Sequence, residues 1–162
     1  MIIDTFFGRY FHIYHQFFHF NHDGVVHLEK NKAVYTDNDV SVCLNFISDG
    51  IKLKKTRSVY SPNYNALTEN ESVQASFYGI GNRTAITVIG NCKAKHINAH
   101  LHANGKKLKS STAEGIVIKT DKSEYTVCLA HKELKTPFTC NTKTATGRLA
   151  VFCGDKLIFK KW

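Results

Sequence analysis

The stretch that decides the fold class is "VSVCLNFISDGIKLK", residues 40–54. Apolar side chains alternate with other residues on both sides of its centre, at Val42, Leu44, Phe46, Ile51 and Leu53. A period of two is typical of a β-strand with one buried face. The central Asp49-Gly50 pair has the composition of a two-residue type I′ turn, so the stretch predicts a β-hairpin.

The same pattern continues along the chain. Further hairpin signals are Asp23-Gly24, Asn104-Gly105 and Gly154-Asp155. No window of eleven residues has a sustained helical period. Because half-apolar sheets must bury one face against another layer, we expect an all-β, antiparallel β-sandwich of roughly ten to twelve short strands with almost no helix. Residues 1–162 are expected to form a single domain.

The least regular segment of the sequence is residues 56–84. It contains the turn-like Ser61-Pro62-Asn63 and a polar, acidic run from Thr68 to Ser72. A connection of this kind usually runs over the surface and is a common place for functional contacts. We therefore expect an exposed connection here.

Composition limits the class of protein. The chain is 43% hydrophobic and 22% charged, which is ordinary for a soluble globular protein. No apolar run reaches the length of about 20 residues that a membrane helix needs, so no membrane contact is expected. The first ten residues have neither a basic leader nor an apolar core, which predicts no secretion signal. They begin as if within a strand, so we expect a segment of a longer protein.

The net charge of +9 is unevenly distributed. Residues 1–50 hold three basic and six acidic side chains, whereas residues 51–162 hold nineteen basic and seven acidic ones. The second segment therefore has a net charge of +12, which favours polyanions as partners. Charge alone does not separate nucleic acid from an acidic polysaccharide.

Two basic stretches, "KLKKTR" and "GKKLK", supply candidate polysaccharide contacts. These are Lys54, Lys55, Arg57, Lys106, Lys107 and Lys109. Lys52 and Lys54 share one strand face, as do Lys107 and Lys109, so each pair predicts a ladder of positive charge. The alternative is a solvated sheet face whose lysines protect an exposed edge strand.

Five cysteines are an odd number and show no CxxC spacing. The pattern excludes a complete disulfide framework and argues against a cysteine zinc site. Two of them, Cys43 and Cys128, lie in apolar runs where cysteine usually behaves as a small buried hydrophobe. We expect reduced thiols.

Four histidines cluster in "RYFHIYHQFFHFNHDG", residues 9–24. On a strand, His15 and His19 share one face about 13 Å apart, while His12 points to the other, so they do not form one ligand set. The His100-Leu101-His102 segment has better spacing for a metal, but no carboxylate lies nearby in sequence. We expect no metal and no cofactor, and partly buried histidines that bond to backbone or to a neighbouring strand.

The order of features resembles the C-terminal β-sandwich of heparinase II/III-type polysaccharide lyases. The matching positions in residues 2–26 are Asp4, Gly8, His12 and the triplet Phe18-His19-Phe20. Further on, Ser61 is followed by Tyr64 and then by a strand-like "TAITVI". The resemblance extends over most of the chain.

The resemblance implies the distal part of a lyase that cleaves uronic-acid polysaccharides by β-elimination. In that family an N-terminal α/α toroid supplies the Asn, Tyr and His of the chemistry, and the sandwich's His-x-His-x-Asp segment precedes the region matched here. This chain is then expected to be inactive alone, with the missing toroid as one partner and a uronate or sulfated glycan as another. The resemblance implies that His12 and His19 are structural markers of the entering strand. It leaves the localisation open, with a periplasmic parent lyase as one alternative.

Two alternative functions and one assembly are consistent with the sequence. The histidines leave open a cupin-like, metal-dependent β-barrel enzyme, and the basic region from residue 51 onwards leaves open a nucleic-acid-binding β domain. An apolar face that has lost its toroid also predicts a homodimer.

Overall fold

The computed structural model describes residues 1–48, 50–81, 83–90, 95–109 and 112–161. These residues form fifteen β-strands and no helix, so the predicted all-β, antiparallel class is confirmed, with more strands than the ten to twelve expected. The chain divides into two compact units, Met1–Cys92 and Lys93–Trp162. The single domain over residues 1–162 stays a prediction. Within the described residues, no helix is long and apolar enough to span a membrane.

The first unit contains eight strands in two antiparallel sheets. They are β1 (Ile2–Phe6), β2 (Phe11–His19), β3 (Val25–Glu29), β4 (Lys32–Asp37), β5 (Val40–Phe46), β6 (Lys52–Tyr60), β7 (Thr68–Ile80) and β8 (Arg83–Gly90). One sheet has the order β1-β8-β5-β4-β3, and the other has the order β2-β7-β6.

The two sheets of the first unit share one apolar core. Leu44 and Phe46 of β5 pack with Val73 and Phe77 of β7, and Phe46 lies edge-on to Phe18 of β2 with ring centroids 5.5 Å apart. This unit is therefore a sandwich of a five-stranded and a three-stranded sheet, as expected when each sheet has one apolar face.

The second unit contains seven strands in one antiparallel sheet. They are β9 (Lys95–Ala99), β10 (Leu101–Ala103), β11 (Lys106–Lys107), β12 (Ala113–Lys119), β13 (Glu124–Cys140), β14 (Lys143–Cys153) and β15 (Lys156–Lys161). Their order is β11-β10-β13-β12-β9, with β14 on β13 and β15 on β14. Two register shifts interrupt β13, so its first half pairs with β12 and its last residues pair with β10.

A compact core forms where β13 passes these shifts. Cys128 of its first half and Cys140 of its last residues belong to one buried cluster with Leu101 and Phe152. Gly115 of β12 pairs with Cys128, and a Cβ added at this glycine would lie 2.9 Å from Cys140 Sγ. The strand therefore bends enough to bring residues twelve positions apart to one place.

Two of the four predicted hairpins are confirmed. Asn104-Gly105 joins β10 to β11 with positive φ at both residues, and Gly154-Asp155 joins β14 to β15. The prediction is wrong for Asp23-Gly24, which joins strands of different sheets. It is wrong also for the Asp49-Gly50 connection, since β5 and β6 belong to different sheets; Asp49 itself lies outside the described residues.

Two further predictions require correction. Residues 56–84 are mostly strand, because the polar residues of β7 find cross-strand partners, such as Ser72, whose hydroxyl lies 2.7 Å from Thr56 Oγ1. Cys43 is disulfide-bonded, so the expectation of reduced thiols is wrong for this residue, whereas Cys128, Cys140 and Cys153 are free. The apolar run around Cys43 gave no sign of the bond.

Candidate functional site

The three-stranded sheet has an outer face that combines aromatic, imidazole and lysine side chains. Alternate residues of β7, such as Val73 and Ala75, enter the core, and the residues between them point away from it. We call the outward set the ring–lysine face; its members are Phe11, Ile13, His15, Phe17, His19, Gln74, Ser76, Tyr78, Ile80, Lys52 and Lys54.

The rings on this face are exposed to solvent. Phe11, Phe17 and Tyr78 are between 54% and 57% exposed, and the rings of Phe11 and Tyr78 lie 5.9 Å apart. Contiguous exposed rings on a sheet are unusual on a surface that contacts only water, and typically mark a binding site. The face therefore offers flat apolar surface to a ligand.

Strand register places the lysines beside these rings. Gln74 of β7 is opposite Phe17 on one side and Lys54 on the other. Ser76 is likewise opposite His15 and Lys52. Two rows thus cross the sheet, each with a ring on β2, a polar side chain on β7 and a lysine on β6.

Hydrogen bonds fix the polar centre of the face. His15 Nδ1 lies 2.8 Å from Ser76 Oγ and accepts a hydrogen bond from Gln74 Nε2 at 2.9 Å. Gln74 Nε2 also donates to Ser76 Oγ at 3.1 Å. Because Nδ1 accepts, Nε2 is the donor of the neutral imidazole. The His15 ring is held in place with a donor remaining for a ligand.

Of the three basic residues predicted on β6, only Lys54 belongs to this face. Lys55 has the opposite parity, and its Nζ lies 2.6 Å from Glu71 Oε1 and 3.4 Å from the Val26 carbonyl oxygen. Arg57 is exposed with the same parity as Lys55, and is opposite Glu71 in the ladder. The predicted ladder of Lys52 and Lys54 is present, but Lys55 is engaged in a structural ion pair.

The Lys55–Glu71 pair links the two sheets of the first unit. Glu71 Oε2 accepts a hydrogen bond from the Val26 backbone N–H at 2.9 Å. The hydrogen bond from Lys55, aided by the one from Val26, holds the pKa of Glu71 below its ordinary value, against the opposing effect of burial. This carboxylate is a structural group.

The two histidines singled out by the family resemblance have different surroundings. His19 is on the outward face with its Nδ1 3.1 Å from Ser58 Oγ, and His12 has the opposite parity, as predicted. A Cβ at Gly8 would lie 2.9 Å from both His12 Cδ2 and Tyr14 OH. Glycine at position 8 therefore allows these rings to approach the backbone.

The second unit contains the other predicted lysines. Lys106 and Lys107 form the short strand β11, and Lys107 is the cross-strand partner of His102. Lys109 follows the strand, where its carbonyl accepts from the Thr112 and Ala113 N–H groups. All three lysines are exposed, but Lys109 is beyond the strand, so the predicted Lys107–Lys109 ladder does not form on β11.

A cavity of about 350 Å³ lies in the second unit next to this hairpin. His100 and His102 both line it, with the amides of Asn98 and Asn141. In the described ranges, no group of three or more His, Cys, Asp and Glu side chains is arranged to hold a metal ion. The His100-Leu101-His102 pair therefore lacks a third ligand of these types among these residues.

Sequence reasoning missed the polar and aromatic part of the ring–lysine face. Gln74, Ser76 and Tyr78 alternate with buried Ala75 and Phe77, a period of two that predicts a strand. The prediction of an exposed connection over residues 56–84 conceals this signal.

No family model matches the chain, and no curated protein and no solved structure matches it.

Proposed function

We propose that the chain is a non-catalytic β-sandwich module, the distal part of a heparinase II/III-like lyase, that binds acidic polysaccharide on its ring–lysine face. The observation that supports this most directly is the pair of rows that place Phe17 and His15 across from Lys54 and Lys52. The proposal rests on this surface and on the motif resemblance.

The chemistry of the face suits a charged sugar polymer. A pyranose ring has an apolar C–H surface that packs on an exposed aromatic ring, and its hydroxyls need fixed donors and acceptors such as Gln74 and Ser76. Uronate carboxylates and sulfates need cations, and two lysines on alternate positions of β6 are spaced about 7 Å apart along the strand. A polymer is favoured over a small ligand because the face is broad and open.

The whole chain is used to test both polysaccharide binding and the absence of β-elimination activity. On immobilised heparin or alginate we expect retention that salt reverses, and on neutral dextran no retention, because lysine contacts are electrostatic. Incubation with the same polymers should give no absorbance of unsaturated uronate. Equal retention on dextran would contradict the binding proposal, and clear turnover would contradict the non-catalytic one.

Single-stranded nucleic acid is the second candidate ligand. The observation in its favour is the pair of exposed rings of Phe11 and Tyr78 on a sheet that also contains lysines, since bases stack on such rings without sequence preference. Competition at matched salt separates the two: oligo(dT) that displaces heparin at lower concentration than heparin displaces oligo(dT) would favour nucleic acid.

A further inference from the structure

The cavity of the second unit is lined by two kinds of side chain. Ile97, Ala99 and Val117 give it an apolar surface. Asn98, Asn141, His100 and His102 add amide and imidazole groups that both donate and accept hydrogen bonds. Its volume of about 350 Å³ is at the lower end of the range for small-ligand sites, roughly 300–1,000 Å³.

Charge around the cavity favours an anion. The second unit holds fourteen basic and five acidic side chains, a net charge of +9, whereas the first unit holds eight of each. The only carboxylate that lines the cavity among the described residues, Glu124, lies 2.8 Å from Lys119 Nζ and is neutralised by it. Lys107, which is the cross-strand partner of His102, adds a cation next to this histidine.

We infer that this cavity is a separate binding site for one hexuronate unit, a sugar ring that bears a carboxylate. The apolar lining packs on the C–H face of the ring, Asn98 and Asn141 bond to its hydroxyls, and His100 and His102 bond to the carboxylate. The choice of a sugar acid rests on the proposed function, but the site is in the other unit and shares no residue with the ring–lysine face.

The test is a titration of the full chain with sodium glucuronate, followed by two-dimensional NMR of backbone amides and histidine imidazoles. We expect saturable chemical-shift changes at Asn98, His100 and His102. Glucose and acetate should bind at least about tenfold more weakly, because glucose lacks the carboxylate and acetate lacks the sugar ring. Inorganic phosphate that gives the same shifts at equal concentration would overturn the sugar assignment, as would no saturable shift.

Substitutions test the residues that line this cavity. His102→Gln removes the imidazole that bonds to the carboxylate and keeps a polar side chain, and we expect it to weaken glucuronate binding about tenfold. His22→Gln, at an exposed histidine of the first unit, should leave glucuronate binding unchanged. Ile97→Ser, at a half-exposed lining residue, provides a second variant if His102→Gln unfolds. Glucuronate binding that survives both variants would contradict the inference. An unaltered chain that binds glucuronate but is not retained on heparin would contradict only the proposed function.

Discussion

Phe17 and Lys54 lie opposite the same residue, Gln74, one on each side of the central strand β7. The two side chains are 37 positions apart in the sequence, yet both point to the outer face of one three-stranded sheet. An apolar ring and a cation are thus presented together with a hydrogen-bonding amide between them. This relationship makes the ring and the charge separately testable.

Replacement of Phe17 by alanine tests the ring. Because the side chain is 54% exposed and contributes no charge, Phe17→Ala should weaken heparin binding about five- to tenfold without changing the salt dependence. Calorimetric titration at two or more salt concentrations measures both quantities. Tyr64→Ala, at a ring that is 94% exposed in the connection between β6 and β7, is the control and should bind as the unaltered chain does.

The Glu71 carboxylate should make stability depend on pH. Its pKa is lowered in the folded chain by the hydrogen bond from Lys55, so it contributes stability above the carboxyl pKa of the unfolded chain and loses that contribution as the pH falls through the folded value. Glu71→Gln should cost about 1–2 kcal/mol of unfolding free energy at pH 7, and this difference should shrink as the pH approaches 3. Urea unfolding across this pH range measures it.

The matched control for this prediction is Glu69→Gln, which changes the same charge at an exposed position on the same strand. It should alter stability by less than about 0.5 kcal/mol at either pH. If both variants lose the same free energy of unfolding, the bonds from Glu71 to Lys55 and Val26 do not stabilise the fold.

The free cysteines should differ in reactivity. Cys153 is partly exposed, whereas Cys128 and Cys140 are at most 1% exposed and share a thiol hydrogen bond. That bond and burial raise the pKa of Cys128, while the same bond lowers the pKa of Cys140. Iodoacetamide on the folded chain should modify Cys153 first, as mass spectrometry of peptides would detect. Modification of Cys140 at the same rate would show that burial does not protect it.

Two strand glycines should respond differently to alanine. At Gly115 a Cβ would meet Leu101 Cδ1 at 2.8 Å, Cys140 Sγ at 2.9 Å and a backbone oxygen, all within the second unit's core. Gly115→Ala should therefore cost about 1–3 kcal/mol in thermal or urea unfolding. At Gly79 the nearest atoms belong to the exposed Arg83 side chain, which can move, so Gly79→Ala should be close to neutral. Equal effects would contradict the packing described around Gly115.

The sequence predicted the fold class because a period of two is a local property of each strand. It predicted the hairpins at Asn104-Gly105 and Gly154-Asp155 for the same reason, since both turns join strands that pair directly. It failed at Asp49-Gly50, where the turn composition is the same but the chain crosses from one sheet to the other. Which strand pairs with which is decided by distant contacts, and a dipeptide contains no information on them.

The candidate site was predictable only in part. Parity on β2 and β6 correctly placed His15 with His19 and Lys52 with Lys54, but it could not show that Lys55 meets Glu71. That pairing depends on β6 and β7 being neighbours. Polar residues such as Gln74 are not predicted to belong to a site, because the connection expected over residues 56–84 conceals their alternation with Ala75 and Phe77.

The measurement that tests the central claim most directly is the affinity for heparin as a function of salt, for the unaltered chain, the double reversal Lys52→Glu with Lys54→Glu, and Lys30→Glu. Lys30 is an exposed lysine at the turn between β3 and β4, so its reversal tests the effect of one reversed charge outside the ring–lysine face. We predict that the double reversal weakens binding at least about tenfold and makes the salt dependence shallower, because two cation contacts are lost. Lys30→Glu should change little. Equal binding by all three proteins would contradict the assignment of this face to acidic polysaccharide.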